Sequence, residues 1–186
     1  MSLIPVPDNL LAEWQAFYKL LFNFDFDFSG LSVQKQEPDF NRLIVVARGI
    51  SPQILWQKCE ELFPCHAPTT DNWENIRSDR TSEKGHYAVW VEDEPEASNE
   101  LEYLSANQIK KHKIPSMTIE ERLVFGIKFF AEKADHLDKT TWTLCSGSSC
   151  DCGLVPIALF HDKKFLIEWN GPDRVHNLLR ARAVIY

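Results

Sequence analysis

The sequence contains no long uninterrupted apolar run. No such run exceeds five residues, the length of Leu43–Ala47, whereas a helix that crosses a membrane needs about 20. The N-terminal stretch Met1–Pro7 has neither a basic region nor an apolar core, so no signal peptide is predicted. Five cysteines are an odd number, and without an export signal we expect reduced thiols in the cytoplasm.

An excess of basic residues is also lacking. The chain has 20 Lys and Arg against 27 Asp and Glu, which gives a formal net charge of -7. A broad nucleic-acid surface requires clustered Lys and Arg for its phosphate contacts. The composition therefore disfavours nucleic acid as a partner and favours a basic protein, because complementary charge raises association rates.

The signatures of common catalytic and metal sites are missing as well. The sequence has no Gly-x-Ser-x-Gly nucleophile elbow and no pair of Cys-x2-Cys knuckles. It also has no internal repeat, low-complexity tract or flexible linker. Its 186 residues, 44% of them hydrophobic, include six Trp and 12 Phe, enough to bury a core without a metal or a disulfide. We expect a single domain, 1–186, whose only candidate sub-lobe boundary lies near 114–117.

Four segments carry the signals of α-helices. The capping residues that begin them are Asp8 or Asn9, Ser51, Ser105 and Thr118. The last segment is the clearest, because Glu121 completes a capping box with Thr118. Apolar residues then recur at helical spacing from Ile119 to Ala134.

Period-two alternation and short apolar runs predict strands. From Phe22 to Phe28, aromatic and polar residues alternate, which predicts a strand whose aromatic face is either core or an association surface. The other predicted strands are Leu43–Ala47, His86–Val91, Thr141–Ser146, Leu154–Phe160, Lys164–Trp169 and Leu178–Ile185. Helices and strands do not alternate regularly. The predicted class is therefore α+β: a mostly antiparallel sheet with a C-terminal strand meander, packed by three or four helices.

Five segments of the C-terminal half form a familiar pattern. They are Leu104–Asn107, Met117–Leu123, His136–Asp138, Leu144–Ser148 and Leu179–Arg182. With these segments, the chain from about Leu43 onward resembles a family of uncharacterised bacterial proteins. The resemblance implies a bacterial origin and implies no particular activity. It also implies a loop after Ser148 with fewer cysteines, so Cys150 and Cys152 are interpreted as features of this chain.

The sharpest local feature is the cysteine spacing Cys145-x4-Cys150-x-Cys152. Three thiolates within eight residues can bind a soft ion such as Zn²⁺, with His136 or Cys65–His66 supplying the fourth ligand. Against this, Cys145 falls in a predicted strand and faces the core, where a free cysteine packs as a small hydrophobic residue. We therefore expect no cofactor and keep zinc as the alternative.

Three weaker candidates involve carboxylates, a histidine and a thiol. Cys150 and His136 are the only nucleophile and base that the sequence offers as a pair, so we expect no catalytic residue and keep this pair as the alternative. Asp25 and Asp27 share one face of a predicted strand and could hold Mg²⁺, although a half-exposed strand also requires acids there. His136 either caps the end of the fourth helix or forms a catalytic pair with Asp138, and capping is favoured.

The preferred binding site lies at the C-terminal end of the chain. The candidate residues are Trp169, Asn170, Arg174, Arg180 and Arg182. Arg180 and Arg182 are two apart on a predicted strand, so both side chains should leave the same face. Trp and Arg dominate binding hot spots, which favours a patch for an anion or a partner. The alternative is cross-strand pairing of these arginines with acids such as Glu168.

An acidic segment also bears on the predicted function. Glu92–Glu102 contains six acidic residues and no basic one. Together with the charge and the absence of an assembled active site, it favours a non-enzymatic cytoplasmic domain that binds another protein, as an inhibitor, immunity-type protein or accessory factor. The alternative function is a small metal-binding or cysteine-dependent enzyme that uses the Cys145–Cys152 loop. A binder of single-stranded nucleic acid through Arg and Trp ranks third.

Overall fold

The computed structural model describes residues 3–67, 73 and 75–186. Within these residues it contains four α-helices and 11 β-strands. The helices are α1 (Asp8–Phe22), α2 (Pro52–Leu62), α3 (Ala106–Lys111) and α4 (Ile119–Lys133). The strands are β1 (Leu3–Pro5), β2 (Ser32–Gln34), β3 (Arg42–Val46), β4 (Cys65–His66), β5 (Ile76–Ser78), β6 (Tyr87–Val91), β7 (Trp142–Leu144), β8 (Ser148–Cys150), β9 (Val155–His161), β10 (Lys164–Asn170) and β11 (Leu179–Ala181). The predicted α+β class is confirmed.

The predicted helix starts are confirmed for three of the four helices by their capping bonds. Ser51 Oγ accepts a hydrogen bond from the N–H of Ile54, and Pro52 occupies the first turn of α2. Reciprocal capping boxes begin α3 at Ser105 and α4 at Thr118. No helix in the described ranges is long and apolar enough to cross a lipid bilayer.

The largest sheet has five strands in the order β11-β7-β9-β10-β4. β9 and β10 form the predicted antiparallel hairpin, and β7 pairs antiparallel with β9. β11 and β4 pair in parallel with β7 and β10, so the C-terminal strands form a mixed sheet rather than a simple meander. The described two-stranded antiparallel pairs are β1-β2, β3-β6 and β5-β8.

The strand predicted over Phe22–Phe28 is not formed. The helix α1 continues through Phe22 and ends at Asn23, which has a left-handed φ of 56°. The following segment packs its aromatic rings on α1, and the side-chain amide of Gln15 donates to the carbonyl of Phe26 over 3.1 Å. Phe28 is buried, whereas Phe24 is 45% exposed. The aromatic segment therefore belongs mainly to the core, although alternation alone predicted a strand.

The helix α4 lies at the centre of the main hydrophobic core. It packs against α2 and β3, and the core includes residues from Val6 to Val184, on both sides of the candidate boundary near 114–117. Ten of the 15 residues of α4 are buried, including the three consecutive charged residues Glu120, Glu121 and Arg122. Burial of charge is costly unless each group has a partner, so the start of α4 is a natural place to search for a site.

Candidate functional site

The acidic segment after β6 forms one wall of a surface groove. β3 and β6 pair antiparallel with Arg42 opposite Val91, so the loop that enters β3 lies beside the segment that leaves β6. The N–H of Asp93 donates to the side chain of Asn41 over 2.9 Å and joins the two walls. The groove has a volume of about 330 Å³, and we call it the acidic groove. Its lining residues are Pro38, Asp39, Phe40, Asn41, Glu92, Asp93, Glu94 and Glu100.

The negative charge of the acidic groove is largely uncompensated. Of its five carboxylates, only Asp93 forms an ion pair within the described part of the chain, at 3.9 Å from Nε of Arg42, and the charge of Arg182 acts on Glu92. Partial burial raises the pKa of Glu92, and the neighbouring charge of Glu100 raises that pKa further, against the opposing effect of Arg182. A cation bound in the groove would relieve this repulsion, so the arrangement is suited to a positively charged ligand.

The rest of the acidic segment has a structural role. The carboxylate of Glu96 accepts hydrogen bonds from the backbone N–H groups of Lys139, Thr140 and Thr141, with distances of 2.8 to 3.2 Å. Glu102 lies 3.5 Å from the guanidinium of Arg180. The segment therefore divides into acids that hold the fold together and acids that face the groove.

A second feature is a buried carboxyl group beside a cleft at the start of α4. Glu120 is 3% exposed, and it accepts hydrogen bonds from the N–H and hydroxyl of Ser82 and from the hydroxyl of Tyr87, over 3.2 to 3.4 Å. The cleft has a volume of about 370 Å³. Its lining residues are Ser51, Pro52, Gln53, Trp73, Ile76, Arg77, Ser78, Thr81, Glu83 and Glu120.

Glu120 can exchange a proton near neutral pH. Burial raises its pKa from 4.5 to about 7, against the opposing effect of the hydrogen bonds from Ser82. Glu121 is held differently, because Arg80 forms two hydrogen bonds to its carboxylate, over 2.7 and 2.9 Å. Two neighbouring carboxyl groups on α4 thus have different environments, and Glu120 is the one that borders a cleft, as a general acid or base would.

We expect Glu120→Gln to remove a pH dependence of stability. Because the folded-state pKa of Glu120 is raised from 4.5 to about 7, its protonated form stabilises the protein fully below about pH 4.5, and this contribution is lost as the pH rises through about 7. Gln resembles the protonated acid. The variant should therefore be more stable than the wild type above pH 7, by on the order of 3 kcal/mol.

Urea unfolding at a series of pH values from 4.5 to 8 would measure this difference. The matched control is Glu83→Gln, an exposed carboxyl that lines the same cleft, and it should leave the pH dependence unchanged. An identical slope in the wild type and in Glu120→Gln would contradict the assignment.

Arg182 lies inside the protein rather than in a surface patch. It is 5% exposed, and its guanidinium lies 2.6 Å from Oδ1 of Asp138. It also donates to the hydroxyl of Thr143 and to the carbonyls of Glu94 and Pro95, over 2.8 to 3.0 Å. The prediction that Arg182 shares an exposed face with other binding residues is therefore wrong. Its surroundings are polar groups from β7 and from the two loops that carry Asp138 and Pro95.

Asp138 connects two buried arginines. It is fully buried, and its Oδ2 accepts hydrogen bonds from Nε of Arg122 over 2.8 Å and from the hydroxyl of Thr143 over 2.6 Å. Burial alone would raise the pKa of Asp138, but the charges of Arg182 and Arg122 hold that pKa below its usual range. Asp138 is therefore a structural anion that joins Arg122 of α4 to Arg182, the residue that follows β11.

The remaining residues of the predicted patch differ in their exposure to solvent. Arg180 is partly buried and pairs with Glu102 rather than with Glu168. Asn170 is buried at the end of β10, Trp169 is partly buried, and Arg174 is exposed in the loop that follows. Of the five predicted residues, two are thus buried, two are partly buried, and only Arg174 is exposed.

The three cysteines of the Cys145–Cys152 loop have two different environments. Cys150 and Cys152 form a disulfide, and Cys145 is fully buried, which raises the pKa of its thiol to about 12. Cys59 and Cys65 are free thiols like Cys145, so the expectation of reduced thiols holds for three cysteines and not for the other two. No three His, Cys, Asp or Glu side chains in the described part of the chain are grouped to hold a metal ion.

His136 is not the partner of Cys150. Its ring stacks on Phe160 and Phe130, with centroid distances of 3.9 and 5.0 Å, and Phe63 meets it edge-on. Burial lowers the pKa of His136. The base predicted for a nucleophilic cysteine is therefore part of an aromatic cluster. Among the described hydrogen bonds, none from the His136 side chain caps the C-terminal end of α4, so the predicted capping is not observed.

Asp25 and Asp27 do not form a pair of metal ligands on a strand. Asp25 lies 2.5 Å from Nζ of Lys19 at the surface, and Asp27 accepts a hydrogen bond from the N–H of Ser29 over 2.8 Å. Each carboxylate makes its own local contact, in agreement with the interpretation of these acids as solvated surface groups.

No protein-family model, no curated protein and no solved structure matches this chain. The function is therefore inferred from the residues and their geometry.

Proposed function

We propose that the protein is a small interaction domain of the bacterial cytoplasm that binds a basic partner protein through the acidic groove. The observation that carries the proposal is the charge of this groove: five carboxylates line it, and no Lys, Arg or His does. Two polypeptide segments, joined by the β3-β6 pairing, supply these carboxylates. The charge is thus concentrated by the fold and not only by the acidic segment of the sequence.

The other lining residues suit a Lys or Arg side chain. Phe40 is partly buried and Pro38 is exposed, and both line the groove beside the carboxylates. Apolar side chains can cover the methylene stem of a Lys or Arg, while the charged end reaches the carboxylates. An aromatic ring adds a favourable contact to a cation that lies over its face. An inhibitor, an immunity-type protein and an accessory factor would each use this contact.

The cytoplasmic and bacterial parts of the proposal have separate support. Cys59, Cys65 and Cys145 are free thiols, which is typical of proteins in a reducing compartment. The resemblance of the segments from Leu104 to Arg182 to a bacterial family supports the origin. No enzymatic step is required by the acidic groove, so the proposed function is binding.

Neutralising the groove is expected to weaken binding to a basic peptide. The variant combines Asp39→Asn, Glu94→Gln and Glu100→Gln, whose side chains are exposed. Each exposed ion pair contributes up to about 1 kcal/mol, so the loss of three should weaken binding by about tenfold to a hundredfold. The measurement is fluorescence anisotropy of a labelled Arg- and Lys-rich peptide at low ionic strength, where surface charges are least screened.

A control variant changes the net charge by the same amount outside the groove. It combines Glu60→Gln, Asp162→Asn and Glu168→Gln, which are exposed and do not line the groove. We expect it to bind the peptide within about twofold of the wild type, since distant exposed charges are largely screened. Equal weakening by both variants, or no binding of the peptide by the wild type, would contradict the proposal.

A further inference from the structure

The disulfide between Cys150 and Cys152 encloses one residue, Asp151. Cys150 is the last residue of β8, and the chain then turns through Gly153, which has a left-handed φ of 81°. A disulfide that acts as a structural staple joins distant segments, because its stabilising effect grows with the length of the closed loop. Here the closed loop contains a single residue, so the disulfide can add little to the stability of the fold.

Other contacts already hold this turn in place. The N–H of Cys150 donates to the carbonyl of Leu154 over 2.8 Å, and the N–H of Gly153 donates to the carbonyl of Cys150 over 2.9 Å. β8 pairs with β5, and the hydroxyl of Ser148 accepts a hydrogen bond from the N–H of Ile119 over 2.9 Å. The backbone of the turn would therefore keep its conformation if the disulfide were reduced.

The two sulfur atoms differ in the way that thiol–disulfide exchange requires. Cys152 is exposed, whereas Cys150 is 6% exposed. The N–H of Leu154 donates to Sγ of Cys150 over 3.2 Å, and a hydrogen bond to sulfur stabilises the thiolate form. An attacking thiol can reach Cys152, and the hydrogen bond from Leu154 favours the departure of Cys150 as a thiolate.

The surroundings also separate this pair from the other cysteines. Arg77 lies 2.5 Å from the carboxylate of Asp151, so a guanidinium is held beside the turn. Burial raises the pKa of Cys145 and of Cys65 to about 12, which makes both thiols unreactive at neutral pH. A disulfide in a cytoplasmic protein usually has a catalytic or sensing role rather than a structural one.

We propose that Cys150 and Cys152 form a thiol–disulfide exchange site whose substrate is the dithiol of another protein. A thiolate of the substrate attacks Sγ of Cys152, the bond to Cys150 breaks, and its electron pair moves to Sγ of Cys150. The second thiolate of the substrate then attacks the substrate sulfur that is bonded to Cys152. This step forms the substrate disulfide and releases Cys152 as a thiolate. The substrate is oxidised to a disulfide, the pair is reduced by two electrons, and a protein disulfide drives the same steps in reverse.

Single-cysteine variants test the asymmetry of the pair. Cys150→Ser leaves the exposed Cys152 as a free thiol, and Cys152→Ser leaves the buried Cys150. With oxidised glutathione as the probe and intact mass as the readout, Cys150→Ser should form the mixed disulfide at least about tenfold faster than Cys152→Ser. Cys65→Ser is the control and should behave as the wild type. Equal rates, or faster reaction of Cys152→Ser, would overturn the proposal.

The wild-type protein provides a second test that needs no variant. Dithiothreitol should reduce the disulfide reversibly at neutral pH, and the melting temperature should change by less than about 3 °C, because the turn has other contacts. A decrease of more than about 3 °C on reduction would identify the bond as a structural staple and overturn the proposal. Neither test involves the acidic groove, so failure of one proposal leaves the other intact.

Discussion

Replacing Asp138 with Asn is expected to lower the free energy of unfolding by about 3–5 kcal/mol, because removing one member of a buried ion pair leaves uncompensated charge. Here two arginines would be affected, since Arg122 and Arg182 are 1% and 5% exposed and both bind the carboxylate of Asp138. For a domain of this size, the melting temperature should fall by roughly 6–20 °C. Thermal and urea unfolding at pH 7 measure both quantities.

The chain contains a closely matched control for this substitution. Asp162 also has a left-handed backbone, with φ 49° compared with 60° for Asp138, and Asn tolerates this conformation as Asp does. Asp162 is exposed in the turn between β9 and β10. Asp162→Asn should therefore change the free energy of unfolding by less than about 0.5 kcal/mol. Similar small effects of both substitutions would contradict the role of Asp138 as the anion that binds the two arginines.

Gly147→Ala is expected to destabilise the protein by about 3 kcal/mol, at the upper end of the usual cost of overpacking. A Cβ at this position would lie 2.5 Å from the carbonyl oxygen of Ser116 and 3.1 Å from that of Met117. Both atoms belong to the backbone. The oxygen of Ser116 is also bound by Arg80 over 2.7 Å, and Gly147 itself accepts from the N–H of Asp79 over 2.8 Å. Neither side can therefore move without breaking hydrogen bonds.

Gly171→Ala is the matched control, because a Cβ there would meet no atom within 4 Å and its φ lies outside the left-handed region. It should be neutral or stabilising by up to about 1 kcal/mol. Urea unfolding of both variants measures the difference. Equal stability of Gly147→Ala and Gly171→Ala would show that the fold does not require the close approach of Gly147 to the backbone of Ser116 and Met117.

Local signals in the sequence were sufficient for the starts of α2, α3 and α4, whereas α1 begins after Pro7 without the side-chain cap predicted at Asp8 or Asn9. The capping boxes of Ser105 and Thr118 depend on residues three positions away, and both boxes are formed.

The segment after Phe22 shows where a local signal fails. Alternation is typical of a strand, but a strand also needs a partner for its backbone, and here the side chain of Gln15 bonds to the backbone of Phe26 instead.

The candidate sites could be predicted only in part, because their members are far apart in the sequence. The acidic segment after Val91 was visible, but Asp39 joins it only through the β3-β6 pairing. The helical pattern of α4 predicted one apolar face and could not show that Glu120 and Arg122 are buried. Their partners, among them Ser82 and Asp138, are identified only by the folded chain.

The charged start of α4 also bears on the order in which the chain can assemble during synthesis. Arg80 and Ser82 leave the ribosome before Glu121 and Glu120, which they bind, so these contacts are available as soon as α4 forms. Asp138 emerges later, and Arg182 emerges last. Until then, Asp138 has Arg122 but lacks its second arginine. The buried ion-pair cluster at the centre of the molecule is therefore completed only after Arg182 has left the ribosome, later than the contacts that Arg80 and Ser82 make with α4.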